Sequence, residues 1–330
     1  MSRFSEVRPP DVDYSATSLR PAWSSLPSSL HDALAVALGI QITAVSAPVS
    51  SGFTGGFAAR ARLSDGREVF IKAAPDAGHA YGAYQREAEV VPQLPKPVRA
   101  PAIIATASAS AEGGRWFAVV SEWVPARMPG APWTDADFAV VTAACEEMAD
   151  ALCPSPLSGL RVFADLVGDD IIVPAQIIAG ERPLPAGLQE WVPRVLPEVA
   201  ELAAAGPQVL TGDTAMHSDL RPDNILIDGD GACWVVDWNW LTLGPRWVDW
   251  VGLLPLAQHH GIDTFAAVQD NPLTADVPRD DIDVLIAVIA AYMMKNADSP
   301  PPPGCTPALR EHQRLSAWTF LDWLAVRRGW

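Results

Sequence analysis

The sequence is poor in the features that mark several large classes of protein. It carries only three lysines beside 20 arginines, and its formal net charge is −16. A general nucleic-acid-binding protein needs a positive field, so this charge balance argues against a nucleic-acid partner. The longest apolar run, from Val284 to Met294, is too short to span a bilayer and predicts a core helix instead.

Cysteine is also scarce, and its placement excludes two further kinds of site. The four cysteines form no Cys-x-x-Cys pair and show no zinc-like spacing with histidine. Such usage is typical of thiols kept reduced inside a cell. The first ten residues lack the apolar stretch of a secretory signal. We therefore expect a cytoplasmic protein with no membrane partner.

The predicted secondary structure changes from mainly β to mainly helical near Pro125. Between residues 40 and 124, five short alternating or β-branched runs predict strands, the first from Ile40 to Val49, and residues 78–94 predict a helix. From Thr134 onward the spacing of apolar residues is mainly helical, with a small β insert inside residues 217–239. This pattern predicts an α+β protein with a β-rich N-terminal lobe, residues 1–125, and a larger helical C-terminal lobe, residues 126–330.

The β insert carries the residues with the clearest chemistry. Asp219 is followed by Asn224 five residues later and by Asp237 thirteen residues after that, and two short apolar runs separate the last two. Phosphoryl transfer from a nucleotide requires such a set. One carboxylate orients and deprotonates the acceptor hydroxyl, while an amide oxygen and a second carboxylate hold magnesium on the phosphates.

This segment resembles the catalytic loop of the aminoglycoside phosphotransferase and choline-kinase-like superfamily, whose members are relatives of the protein kinases. The resemblance covers most of the chain and implies a bilobal protein-kinase-like fold, with ATP or GTP bound between the lobes. Asp219 matches the catalytic aspartate, and Asn224 and Asp237 match the residues that hold Mg²⁺. Magnesium prefers oxygen ligands and keeps several waters, so these two side chains and the phosphates suffice.

Two further residues of the catalytic segment have alternative interpretations. Arg221 is a candidate for pairing with the transferring phosphate as negative charge develops, or for a salt bridge to Asp223 within the loop. Asp223 is either an acid that supports the metal site or a solvated loop residue. The resemblance gives His217 and Asp249 structural roles, since they match residues that support the catalytic loop.

Lys72 and Glu87 resemble the lysine–glutamate pair of the nucleotide site. Lys72 ends the strand-like run Val69-Phe70-Ile71-Lys72, where the family has the lysine that contacts the α- and β-phosphates. Glu87 shares a helix face with Val90 and Val91 at the i+3 and i+4 positions, so it faces the protein interior. Glu89 is the second choice as the partner of Lys72.

Two backbone segments complete the expected nucleotide site. Ser50 to Gly56 resembles the loop that covers the phosphates, and glycine there lets N–H groups approach phosphate oxygens. Its Ser51 and Thr54 are candidate phosphate contacts. Glu122 and Val124 resemble the hinge, where the carbonyl of Glu122 and the N–H of Val124 would face the purine edge.

The expected function is transfer of the γ-phosphate of ATP or GTP to a hydroxyl group of a small molecule. An antibiotic is the first choice of acceptor, because the catalytic segment looks more like that of antibiotic kinases than that of choline kinases. The acceptor site is expected after Gly130, including the proline-rich loop near Pro300. The alternatives are a metabolite kinase of the choline- or homoserine-kinase type and a catalytically silent nucleotide-binding protein. A protein kinase is disfavoured, because no Ala-Pro-Glu segment follows Asp237.

Overall fold

The computed structural model describes residues 9–53, 55–130, 132–302 and 305–330. The fold is mixed α+β, with a β-rich N-terminal part and a mainly helical C-terminal part. This architecture confirms the expected fold class. The division of the chain between residues 125 and 126 stays a prediction.

The N-terminal part is built on an antiparallel sheet whose strand order is β1-β2-β3-β5-β4. Its strands are β1 (Ile42–Val45), β2 (Phe57–Leu63), β3 (Glu68–Pro75), β4 (Ile103–Ala111) and β5 (Gly114–Glu122). β1 is shorter than the predicted run from Ile40 to Val49, and its pairing with β2 shifts register between Ile42 and Ala44.

Two helices cover opposite faces of this sheet. They are α1 (Ser28–Leu38) and α2 (His79–Val90). Alternation along β3 places Val69, Ile71 and Ala73 in the core beneath α1. Side chains in a strand point to opposite faces in turn, so Lys72 faces α2. The sequence pattern of β3 thereby directs its lysine toward the helix that carries Glu87.

Short strands in the C-terminal part frame the catalytic segment. They are β6 (Ala126–Arg127), β7 (Arg161–Val162), β8 (Thr214–Met216), β9 (Ile225–Asp228), β10 (Cys233–Val235) and β11 (Thr242–Gly244). They form two three-stranded sheets, ordered β10-β9-β6 and β7-β11-β8. The loop after β8 carries Asp219 and Asn224, and Asp237 follows β10. Both apolar runs of the motif are strands, as predicted.

Helices supply the rest of the C-terminal part. They are α3 (Asp135–Ala151), α4 (Phe163–Leu166), α5 (Gly168–Ile171), α6 (Val173–Ile178), α7 (Val192–Ala204), α8 (Gly206–Val209), α9 (Val248–His259), α10 (Thr264–Asp270), α11 (Arg279–Asn296) and α12 (Ala308–Arg328). The apolar run from Val284 to Met294 lies in α11 and is largely buried, which confirms the predicted core helix. Among the described residues, none of these helices has the length and apolar character to cross a membrane.

Candidate active site

Lys72 joins the two parts of the chain through two carboxylates. Its Nζ atom lies 2.8 Å from both Oε1 and Oε2 of Glu87 and also contacts Oδ1 of Asp237. Glu87 is buried on the α2 face that also buries Tyr84 and Val90, as its helical spacing predicted. Glu87 is therefore the partner of Lys72, and Glu89 instead lies near Arg86 at 3.6 Å.

The charges of Lys72, Glu87 and Asp237 shift one another's pKa values. Burial alone would lower the pKa of the Lys72 ammonium, but Asp237 and Glu87 outweigh burial and raise that pKa. Burial likewise favours a raised pKa for Asp237, yet the ion pair with Lys72 outweighs it and lowers the pKa of this carboxyl. For Glu87, burial prevails over Lys72 and raises the pKa. The result is a charged lysine facing an ionised Asp237.

A left-handed backbone turn presents Asp237 to this group. Its φ is 63°, a conformation that few residues other than glycine adopt. The next residue, Trp238, is fully buried and donates from Nε1 to the carbonyl of Val235 at 2.8 Å. The N–H of Asn239 closes the turn on the carbonyl of Asp237 at 2.8 Å. Trp238 thus fixes the turn from within the core, and the carboxylate of Asp237 points out of it.

The catalytic loop is held from behind by Asp249, near the start of α9. The carboxylate of Asp249 accepts the N–H of His217 at 2.7 Å and the N–H of Ser218 at 2.9 Å. Ser218 has a φ of 67°, so this carboxylate stabilises a turn that is uncommon for serine. His217 is fully buried, and its Nε2 lies 2.9 Å from the carbonyl of Val236. The supporting contacts inferred for both residues are present.

Asp219 lies at the front of this loop and is oriented by Asn224. The Nδ2 atom of Asn224 donates to the backbone carbonyl of Asp219 at 2.8 Å and approaches its Oδ2 at 3.3 Å. Burial raises the pKa of Asp219, and the positive charge of Arg221 opposes that rise. A raised pKa makes this aspartate a stronger base than a free carboxylate.

Arg221 is paired with both neighbouring aspartates. Its Nε and Nη2 atoms lie 2.9 and 3.0 Å from the two oxygens of Asp223, and its Nη1 lies 2.5 Å from Oδ1 of Asp219. The side chain of Asp223 is fully buried, so it is not a solvated loop residue. The salt bridge to Asp223 is therefore formed, and contact of Arg221 with a phosphate stays a prediction.

The donor set around Asn224 and Asp237 fits a magnesium ion. Because the amide nitrogen of Asn224 is engaged with Asp219, its oxygen is the atom left to bind a metal. Asp237 contributes an ionised carboxylate, and oxygen atoms of these two kinds are the ligands that Mg²⁺ takes. The N–H of Val236 donates to the carbonyl of Asn224 at 3.0 Å, which places the Asp237 segment beside the loop that carries Asp219.

The remaining predicted residues lie in the glycine-rich loop, at the end of β5 and just beyond it. Ser51 is partly buried, and its carbonyl accepts a hydrogen bond from Arg20. Thr54 lies outside the described residues. Glu122 ends β5 and donates its N–H to the carbonyl of Ala102 at 2.9 Å, and Val124 is buried just beyond it. The predicted roles of Ser51, Glu122 and Val124 stay predictions.

Sequence reasoning missed a cluster beside Arg221. The guanidinium of Arg221 lies 5.0 Å from the ring centre of Phe53, which belongs to the glycine-rich loop. Phe53 packs in turn against Tyr14 and His312. No local pattern signals this cluster, because its members come from the segment before α1, from the glycine-rich loop and from α12.

A kinase-like phosphotransferase is the class of protein that this fold and this site define. Residues 50–278 match the phosphotransferase enzyme family, APH, over more than half of the chain. The chain belongs to this family. No curated protein matches the sequence.

Solved structures share the fold at low sequence identity. A thermostable mutant of aminoglycoside phosphotransferase APH(4)-Ia, in a ternary complex with AMP-PNP and hygromycin B, is 14% identical, with a TM-score of 0.59 over 92% of this chain and 99% of that chain. Spectinomycin phosphotransferase APH(9)-Ia, in complex with ADP and spectinomycin, is 11% identical, with a TM-score of 0.57 over 91% and 99%. Amicoumacin kinase hAmiN, in complex with AMP-PNP, Ca²⁺ and Ami, is 12% identical, with a TM-score of 0.57 over 86% of this chain and 91% of that chain.

Proposed function

We propose that the protein transfers the γ-phosphate of ATP or GTP to a hydroxyl group of a small molecule, with an antibiotic as the first choice of acceptor. The observation that carries the proposal is the single site in which Asn224 orients Asp219 while Lys72 bridges Glu87 and Asp237. This arrangement supplies both an acceptor base and a set of charges for a nucleoside triphosphate.

In this proposal each residue has a defined task. Asp219 orients the acceptor hydroxyl and takes its proton as the γ-phosphate moves in line. Glu87 holds the ammonium of Lys72 toward the phosphates. Asn224 and Asp237 hold Mg²⁺, which would neutralise charge on the phosphate oxygens when bound. Arg221 sets the charge beside Asp219 through its 2.5 Å contact with that carboxylate.

The acceptor is proposed to bind between Asp219 and the helical part. Tyr292 lies in α11 one turn before Lys295, whose Nζ pairs with Asp170 at 2.9 Å. Tyr292 keeps 43% of its surface exposed, so its ring is open to a ligand. An exposed aromatic ring near a charged pair suits a hydroxyl-bearing molecule with a ring or a positive charge.

Solved structures that share this fold support an antibiotic acceptor. They are complexes with hygromycin B, spectinomycin and Ami, each together with AMP-PNP or ADP. We also propose a cytoplasmic location, where nucleoside triphosphates are supplied. The four free cysteines are consistent with that compartment.

The test is a product screen. The full chain is incubated with Mg²⁺ and either ATP or GTP and a panel of hydroxyl-bearing antibiotics, with choline and homoserine as the metabolite arm. A mass increase of one phosphoryl group identifies the acceptor, and Asp219→Ala is the inactive control. If only choline or homoserine is phosphorylated, the acceptor is a metabolite and not an antibiotic. Firm nucleotide binding without transfer to any acceptor would favour a silent nucleotide-binding protein.

A further inference from the structure

A strap, defined here as residues 11–20, crosses from the helical part to the glycine-rich loop, residues 50–56. The N–H of Ser18 donates to the carbonyl of Ser50 at 2.7 Å, and the hydroxyl of Thr17 donates to the carbonyl of Gly52 at 2.7 Å. No motif in the sequence marks this segment as part of a site. Its hydrogen bonds instead make it a support of the loop expected to cover the phosphates.

Arg20 contributes the contacts that span the loop. Its Nη2 donates to the carbonyl of Ser51 at 2.7 Å, and its Nη1 donates to the carbonyl of Gly56 at 2.6 Å. One planar guanidinium thus joins the start of the loop to its end. The rigid fork of arginine can hold two carbonyls at once, whereas the single ammonium of lysine cannot reproduce that geometry.

A side chain at Gly52 would crowd the guanidinium of Arg20. This glycine has a φ of 79°, and a Cβ atom placed on it would lie 3.0 Å from Nη2 of Arg20. The positive φ and the close approach both favour glycine. The loop backbone and the guanidinium are therefore packed as one unit.

The far end of the strap is fixed to the helical part. The hydroxyl of Tyr14 lies 2.9 Å from Nδ1 of the buried His312 in α12. The hydroxyl of Thr306 donates to the carbonyl of Thr17 at 2.5 Å, and the thiol of Cys305 donates to the carbonyl of Phe53 at 3.0 Å. These contacts connect the glycine-rich loop to the part of the chain that carries Asp219.

We propose that Arg20 is a positioning residue that fixes the glycine-rich loop in its phosphate-binding shape, an inference that rests on the proposed function. By engaging the carbonyls of Ser51 and Gly56, Arg20 turns these two acceptors away from the phosphates, so that the N–H groups of Gly52, Phe53 and Gly55 can face phosphate oxygens.

The test separates binding of phosphates from binding of the base. Calorimetry on the full chain, with Mg²⁺ present, compares ADP and GDP with adenosine and guanosine in the wild type, Arg20→Ala and Arg20→Lys. We expect Arg20→Ala to weaken diphosphate binding at least about tenfold and nucleoside binding less than about twofold. Arg20→Lys should give an intermediate loss, because one ammonium reaches one carbonyl. Arg115→Ala, which removes an arginine of β5 whose side chain is 71% exposed, is the matched control and should bind like the wild type.

The calorimetric results distinguish failure of the role of Arg20 from failure of the proposed function. Wild-type diphosphate affinity in Arg20→Ala would overturn the role of Arg20 and leave the proposed function standing. An equal loss for diphosphate and nucleoside would also overturn it, because Arg20 would then support the lobe as a whole. If Arg20→Ala does not fold, Arg20→Lys decides the question, and wild-type affinity there overturns the proposal. A wild-type chain that binds none of the four ligands would remove the proposed function itself.

Discussion

Two loops meet at the candidate site, and they are held in different ways. The catalytic loop, from His217 to Asn224, takes its supporting contacts from the stretch that ends at Asp249. The glycine-rich loop takes its supporting contacts from Arg20 on one side and from Cys305 on the other. The first loop is supported inside the region that matches the family, residues 50–278, and the second is supported from outside it.

This difference separates a loop supported from within the matched region from a loop supported by residues outside it. The catalytic loop carries the residues proposed for the chemistry, and its partners lie within the matched region. The glycines of the glycine-rich loop lower the cost of unusual backbone angles but contribute no side chains to hold its shape. Residues elsewhere in the chain must supply that order. The predictions below test this contrast, beginning with the catalytic loop.

Asp219→Asn should produce the largest loss. The substitution keeps the shape of the side chain but removes the base, so we expect turnover to fall by about 10²- to 10⁴-fold. Steady-state kinetics with the acceptor found in the product screen measures the loss. Asp230→Asn, in the exposed turn between β9 and β10, is the matched control and should retain wild-type turnover. Near-normal turnover of Asp219→Asn would remove Asp219 from the chemistry.

Asp237→Ala should abolish the dependence of nucleotide binding on magnesium. This carboxylate is the charged oxygen donor of the proposed metal site, so its loss should weaken ADP binding in Mg²⁺ at least about a hundredfold. Calorimetry with and without Mg²⁺ measures the effect, and the variant should bind equally in both. If Mg²⁺ still strengthens binding as much as in the wild type, the metal is held elsewhere. The catalytic loop should be unaffected, because its contacts to Asp249 remain.

The sequence predicted those parts of the site that depend on local spacing. The strand-like run that ends at Lys72 gave this lysine, helical spacing gave the buried face of Glu87, and the motif gave Asp219, Asn224 and Asp237. Each of these predictions needs only the side-chain period of one element or the order of residues in one loop.

The sequence did not predict contacts between distant segments. Tyr14 and His312 are 298 residues apart, and Thr17 and Thr306 are 289 apart, so neither pair has a local signal. The sequence did not predict a role for Arg20, because no residue near it in the sequence marks it as a partner of the glycine-rich loop. Asp223 was equally ambiguous, because only the packed structure shows that its carboxylate is buried against Arg221.

Asp249→Ala should destabilise the fold more than the replacement of an exposed aspartate by alanine. The N–H groups of His217 and Ser218 would lose a charged acceptor. We expect the free energy of unfolding to fall by about 2–4 kcal/mol. Urea titration gives the value. Asp150→Ala is the matched control, since Asp150 pairs with Arg246 at the surface and its side chain is 72% exposed. A similarly small change in both variants would show that Asp249 does not anchor the loop.

The smallest predicted effect concerns the strap and its dependence on pH. Burial and the nearby charge of Arg221, opposed by Asp223, together lower the pKa of His312 to about 3. The ring of His312 also contacts the hydroxyls of Tyr14 and Ser316 and the ring of Phe53. His312 therefore stays neutral in the folded protein, while the unfolded chain takes up a proton below pH 6.5.

The direction in which stability changes with pH follows from the number of protons that His312 binds in the folded and unfolded states. Between pH 6.5 and about 3 the unfolded state binds more protons at this histidine, so stability falls as the pH falls. The change is at most about 1.4 kcal/mol per pH unit. Other groups titrate in the same range, so the measurement is the difference in free energy of unfolding between the wild type and His312→Gln at pH 7, 6 and 5. We expect the wild type to lose stability relative to the variant as the pH drops. A constant difference would mean that His312 accepts a proton in place and that the strap is held less tightly there than its contacts indicate.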